Sequence, residues 1–169
     1  MKRRDFIPLT ASAVLLSACG APPASKFKAY DGLQITRVIV EKSTRSMWLM
    51  HEAKVIAKYD VELGFTPRGH KKIEGDGRTP EGSYFINRRN PNSAFHLSLG
   101  ISYPNAKDIA KAKAIGKSPG GAIFIHGGPV LRGDRNKPDW TAGCISVTNE
   151  EIETIYAMVK NGTQIDILT

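Results

Sequence analysis

The chain has 169 residues and a formal charge of +8, with 24 lysines and arginines against 16 aspartates and glutamates. That length supports one domain with a substantial core. There are no internal repeats, and beyond the first residues no hydrophobic stretch is long enough to cross a membrane, so solenoid and multi-span architectures are excluded.

The chain opens with Met1-Lys2-Arg3-Arg4, a basic start followed by a short, mostly apolar run from Phe6 to Leu16 and by Leu16-Ser17-Ala18-Cys19. The run is too short to span a bilayer and reads as an export signal over residues 1–18. It resembles a bacterial lipoprotein signal, in which Cys19 would be lipidated and become the first mature residue. Arg3-Arg4-Asp5-Phe6-Ile7 also fits a twin-arginine export motif. Residues 19–29, with Ala21-Pro22-Pro23-Ala24-Ser25, form a tether, and the folded domain is expected over residues 30–169. The expected location is the cell envelope, with the protein lipid-anchored and facing the periplasm or cell wall. Nucleic acid is then a poor partner for the basic charge, and no nucleic-acid motif is present. An anionic wall polymer or membrane surface accounts for it, as does plain solubility from lysines such as Lys107, Lys111, Lys113 and Lys117.

Further along, the apolar pattern has mostly a period of two. Ala57, Tyr59, Val61 and Leu63 alternate with Lys58, Asp60 and Glu62, and Phe95, Leu97 and Leu99 alternate with His96 and Ser98. Leu33–Glu41, Ser46–Met50, Tyr84–Ile86 and Ala122–His126 read as further strands, separated by glycine- and proline-bearing turns. Two short helices interrupt this mainly β domain. One covers residues 105–115 and stops at Gly116. The other begins at the capping box Thr148-Asn149-Glu150-Glu151, buries Ile152, Ile155, Tyr156 and Val159, and is expected to end at Gly162. Residues 163–168 return as a closing strand. Periodicity leaves open whether the sheet forms a sandwich or a barrel.

The chemistry is concentrated in Ile125-His126-Gly127-Gly128 and in Asp139-Trp140-Thr141-Ala142-Gly143-Cys144-Ile145-Ser146. If Cys19 carries lipid, Cys144 has no disulfide partner, and a lone thiol outside the cytoplasm is a liability unless it is buried or working. A histidine is the usual means of activating such a thiol, and the pairing points to acyl transfer with fast alkylation near neutral pH. Gly143 would let backbone amides face an oxyanion. Taken alone, Cys144 could be a buried structural thiol and His126 a satisfied strand-end histidine.

These motifs resemble the L,D-transpeptidase family of the YkuD type, in which a His-Gly pair precedes a Ser/Thr-containing Gly-Cys motif by a loop of similar length. Gly69-His70-Lys71, Glu74 to Tyr84, Ser98 to Pro104 and Asn161-Gly162-Thr163 are similar too, so the likeness spans the mature domain. The resemblance implies a mainly β, β-sandwich-like catalytic domain that acts on peptidoglycan stem peptides without metal or organic cofactor. It assigns Cys144 as nucleophile, His126 as base and then acid, Gly127 as the carbonyl that orients the imidazole, and the amides of Gly143 and Cys144 as oxyanion donors. Arg78, His70, His96, Trp140, Thr141 and Arg132 are candidates for substrate contacts, though a tight turn, surface loops or a packed loop anchor explain most of them equally well. This chain has Ala142 where the family often has histidine, and Ser146 where it often has arginine, a cation that Arg78, Arg132 or Arg135 could replace.

Asp139-Trp140-Thr141-Ala142-Gly143-Cys144-Ile145 resembles a subgroup that includes amidase-like enzymes acting on lipoprotein–peptidoglycan links. The acceptor is therefore a stem-peptide amine, the lysine of a wall-linked lipoprotein, or water. Two other readings are a non-catalytic peptidoglycan-binding lipoprotein and a zinc peptidase using His70, His96 and His126, the latter without any paired ligand spacing in its favour.

Overall fold

The computed structural model describes residues 25–134 and 137–169. The expected export segment, Cys19 and the first part of the tether lie outside the described residues, as do Arg135 and the side chain of Arg132. Among the described residues there are eight strands: β1 (Arg37–Glu41), β2 (Ser46–His51), β3 (Lys54–Asp60), β4 (Gly82–Ser93), β5 (His96–Ile101), β6 (Phe124–His126), β7 (Ile145–Ser146) and β8 (Gln164–Leu168). Two helices accompany them, α1 (Ala106–Ala114) and α2 (Asn149–Met158), so the fold is mainly β as the alternation predicts. The strands form one sheet in the order β3-β2-β1-β8-β4-β5-β6-β7. The β1–β8 and β6–β7 pairs are parallel and the others antiparallel.

The sheet curls until its ends meet. The chain leaving β3 bridges to β7, where Glu62 and Ser146 exchange two backbone hydrogen bonds of 2.9 and 2.8 Å. Thr141 extends the seam, donating to the Leu63 carbonyl and accepting from the Phe65 amide at 3.1 and 2.9 Å. One core gathers Val38, Val40, Met47 and Leu49 from one half of the sheet and Leu97, Leu99, Ile125 and Ile145 from the other.

β4 is much longer than the expected Tyr84–Ile86. Its second half, Arg88-Arg89-Asn90-Pro91-Asn92, is polar, and the register shifts between Asn90 and Ser93. Proline cannot donate to a ladder and is placed at such an irregularity. The capping box of α2 forms as expected, with the Thr148 hydroxyl accepting from the Glu151 amide at 3.2 Å and the Glu151 carboxylate accepting from the Thr148 amide at 2.9 Å. The helix stops at Met158, earlier than expected, because Val159 is already extended; Gly162, at φ +89°, makes the turn into β8 instead. Ile152 and Ile155 are fully buried and fix α2 against the sheet, so its first turn lies over the end of β6.

Candidate active site

β6 and β7 bring the two motifs together. Their parallel register pairs Ile125 with Ile145, both sunk in the core, so His126 and the residue before Ile145, Cys144, face the opposite side. There His126, Trp140, Thr141, Ala142 and Cys144 line one cavity of about 470 Å³.

His126 is 3% exposed, and its Nδ1 lies 2.7 Å from the Gly127 carbonyl oxygen. A carbonyl can only accept, so Nδ1 carries the proton and Nε2 is left as the basic nitrogen. The ring is held between Phe95, with centroids 4.5 Å apart, and Trp140 at 5.6 Å. Burial pushes the imidazole pKa below its ordinary 6.5, with the Gly127 carbonyl opposing. Gly127 is required by packing: a Cβ there would stand 2.5 Å from Asn149 Oδ1 and 3.1 Å from the Phe95 carbonyl.

Cys144 sits in a turn organised by Thr141. The Thr141 hydroxyl accepts from the Gly143 amide at 3.1 Å and donates to the Cys144 carbonyl at 2.7 Å. The Gly143 amide, expected as an oxyanion donor, is thus already committed, and the Cys144 amide is the donor this turn still offers. Gly143 is needed for a different reason. Its φ is +127°, and a Cβ would meet the Arg78 carbonyl at 2.6 Å. The Cys144 thiol donates to the Ala122 carbonyl at 3.6 Å. Burial pushes its pKa above the ordinary 9.0, and the Phe124 backbone and the Lys71 charge pull it down by less. Both shifts favour the neutral forms, a thiol beside an imidazole, and so point away from fast alkylation near neutral pH.

The other candidates lie elsewhere. Arg78 brings its carbonyl to Gly143, but its Nε donates to the Arg68 carbonyl at 3.1 Å. His70 accepts from the Glu81 amide at 3.0 Å and pairs through Nε2 with Asp108 at 3.1 Å. His96, the first residue of β5, bonds Glu153 of α2 at 2.8 Å. The three histidines of the zinc reading thus have three separate sets of partners and do not converge.

Sequence reasoning missed Phe95. Read as an alternating core residue, it is the partly exposed tip of the hairpin, and its carbonyl accepts from the Gly127 amide at 3.1 Å. Lys71 and Asp76 lie in segments that the family resemblance covers, but their pairing was not foreseen. Their side chains are 3% and 6% exposed and meet at 2.8 Å, bracing the loop that delivers the Arg78 carbonyl. The Gly75–Gly77 turn was the available signal, since an aspartate in such a turn accepts from nearby amides.

Residues 35–167 match the YkuD L,D-transpeptidase catalytic domain model. Escherichia coli K12 YafK, which carries an L,D-transpeptidase name, is 31% identical over 106 residues, covering 62% of this chain and 35% of YafK. Among solved structures, the helical cell shape determining protein Pgp2 of Campylobacter jejuni superposes with a TM-score of 0.61 at 26% identity, covering 82% of this chain and 49% of Pgp2. An L,D-transpeptidase of Mycobacterium smegmatis, at 12% identity and TM-score 0.54, covers 80% of this chain and 59% of its own and shares the fold. The chain spans about a third of YafK and about half of Pgp2. With the family model covering most of the described domain, the chain belongs to the L,D-transpeptidases of the YkuD catalytic-domain family.

Proposed function

We propose that this domain is a cysteine acyltransferase that opens peptidoglycan stem tetrapeptides through a thioester. The observation that carries the reading is the His126 Nδ1–Gly127 carbonyl bond, which leaves the basic Nε2 on the side of β6 that shares a cavity with Cys144. His126 takes the Cys144 proton as the sulfur attacks the carbonyl between the third-position diamino acid and D-alanine. The Cys144 amide steadies the oxyanion, and the imidazolium then protonates the departing amine. D-alanine leaves and the peptide stays on sulfur. A second stem-peptide amine resolves the thioester by cross-linking, a wall-linked lipoprotein lysine resolves it by attachment, and water resolves it by hydrolysis. The same reading sets the protein in the cell envelope, held by a lipidated Cys19.

The test is intact-protein and product mass spectrometry of the full chain, wild type and Cys144→Ala, mixed with tetrapeptide and with lipoprotein-linked muropeptides. An adduct equal to the substrate less D-alanine is expected on wild type alone, and the product identifies the acceptor. No adduct and no product from either protein would leave a wall-binding protein with an enzyme's shape.

A further inference from the structure

A second cavity, of about 1060 Å³, opens between residues 70–72, the start of β4 and α1. Its acids are already engaged. Asp108 is 5% exposed and accepts from the Tyr84 hydroxyl and the Asn105 amide, both at 3.0 Å, besides pairing with His70. Glu81 is paired at 2.8 Å with Lys42, itself 3% exposed. Three cations line the same cavity: Lys72, and Lys107 and Lys111 one turn apart on α1. Their residues are exposed, and no carboxylate within 4.0 Å pairs with any of them among the described residues. With Glu81 paired to Lys42 and Asp108 held by a hydroxyl, an amide and His70, the three lysines leave the lining net positive, beside an apolar wall that includes Ile115, 60% exposed. Such a lining suits a peptide that carries several carboxylates, and a purely apolar or cationic ligand would leave the lysines unanswered.

Two stretches of chain connect the cavity to the surroundings of the nucleophile. The loop that starts at His70 continues through Lys71, whose charge bears on Cys144, to the Arg78 carbonyl at Gly143. From Ile115 the chain runs only seven residues to Ala122, whose carbonyl accepts the hydrogen bond of the Cys144 thiol. At most about 25 Å of extended chain therefore separates these points.

We propose that this cavity is a second peptide site, binding the carboxylates of an adjacent peptidoglycan stem peptide while another stem peptide occupies the Cys144 cavity; the identity of the polymer rests on the function proposed above. Binding is electrostatic and weakens with salt.

The test pellets the full chain carrying Cys144→Ala with insoluble peptidoglycan, and compares it with a version that also carries Lys72→Ala, Lys107→Ala and Lys111→Ala. The triple change is expected to weaken binding about tenfold, three modest charge contacts together. The corresponding Lys→Arg version should keep the parent's affinity, and glycan stripped of its peptides should bind all versions equally weakly. In the wild-type background the triple alanine variant should keep its rate on soluble tetrapeptide and its thermal midpoint, while its rate on intact peptidoglycan falls. Equal pelleting of parent and triple variant, or undiminished lysine-dependent binding to stripped glycan, would overturn the proposal. Failure of the function proposal is read separately, as the absence of an acyl adduct in wild type with soluble tetrapeptide.

Discussion

At Cys144 and His126 the residue types were legible in the sequence but their ionisation was not, because ionisation depends on burial that only the folded chain sets. Both groups are pushed toward their neutral forms, the thiol above 9.0 and the imidazole below 6.5. As pH falls through the depressed imidazole pKa, the ring gains a proton and can no longer accept one from sulfur. The acid limb of kcat/KM is therefore expected below pH 6.5, with no loss of rate between there and about pH 9. Iodoacetamide labelling of Cys144 should be slow at pH 7 and rise steadily into the alkaline range. A fast, flat labelling profile from pH 6 upward would mean a thiolate–imidazolium pair and sink this account. Thr141 offers a second handle, since its hydroxyl holds both the Gly143 amide and the Cys144 carbonyl. Thr141→Val should lower kcat by about tenfold or more through misplacement of the sulfur, with Thr141→Ser restoring most of it. Equal rates for the valine and serine variants would remove the hydroxyl from the argument.

Among the elements, the sequence showed what was local and periodic. The strands with alternating Val, Ile, Leu and Tyr and the capped helix α2 were readable because each repeats or signals within a few residues. The polar arm of β4 was not, since its ladder is dictated by β5 and not by its own side chains. The Gly75–Gly82 run reads equally as a groove wall or as a tight turn, and the fold of the loop around it depends on one carboxylate. Asp76 accepts from the Lys71 ammonium and from the Lys72, Ile73 and Arg78 amides. Burial alone would raise its pKa, but these donors outweigh that and hold it at about 2 against an ordinary 3.8. A depressed carboxylate stabilises the fold fully above its unfolded pKa. Asp76 should contribute about 2 kcal/mol at neutral pH, lost as pH falls from about 4 toward 2. Asp76→Asn should abolish that acid-sensitive portion and leave the Lys71 charge buried without its partner, costing about 3 kcal/mol or more in urea unfolding at pH 7. An unfolding curve for the variant that overlays wild type at pH 7 would show that the loop is held by something else.

Across the whole molecule, the nucleophile stands at the seam where the curled sheet closes on itself, and no sequence period could reveal that seam because its partners lie some eighty residues apart. Asp139 fastens it. Its carboxylate accepts from Arg45 at 2.6 Å and from the Leu63 amide at 3.1 Å, and its own amide donates to Glu62, so the β1–β2 connection, the chain beyond β3 and the Trp140–Cys144 turn are tied at one residue. Asp139 has φ +50°, a conformation that asparagine tolerates and alanine does not favour. Asp139→Ala removes two bonds to a charged acceptor and adds backbone strain. A loss of about 2 kcal/mol would lower the thermal midpoint by about 4–8 °C in a domain of this size. Asp139→Asn keeps the backbone preference and one acceptor and should fall between alanine and wild type. Hydrogen exchange locates the damage: in the alanine variant the amides of Glu62, Phe65, Thr141 and Ser146 should lose protection, while those of β1 and β8 on the opposite side of the sheet keep it. Acyl-enzyme formation should slow with seam protection across the two variants, since the turn that aims Cys144 is part of the seam. Uniform loss of protection throughout the sheet would instead make Asp139 a general stabiliser, with no particular hold on the catalytic turn.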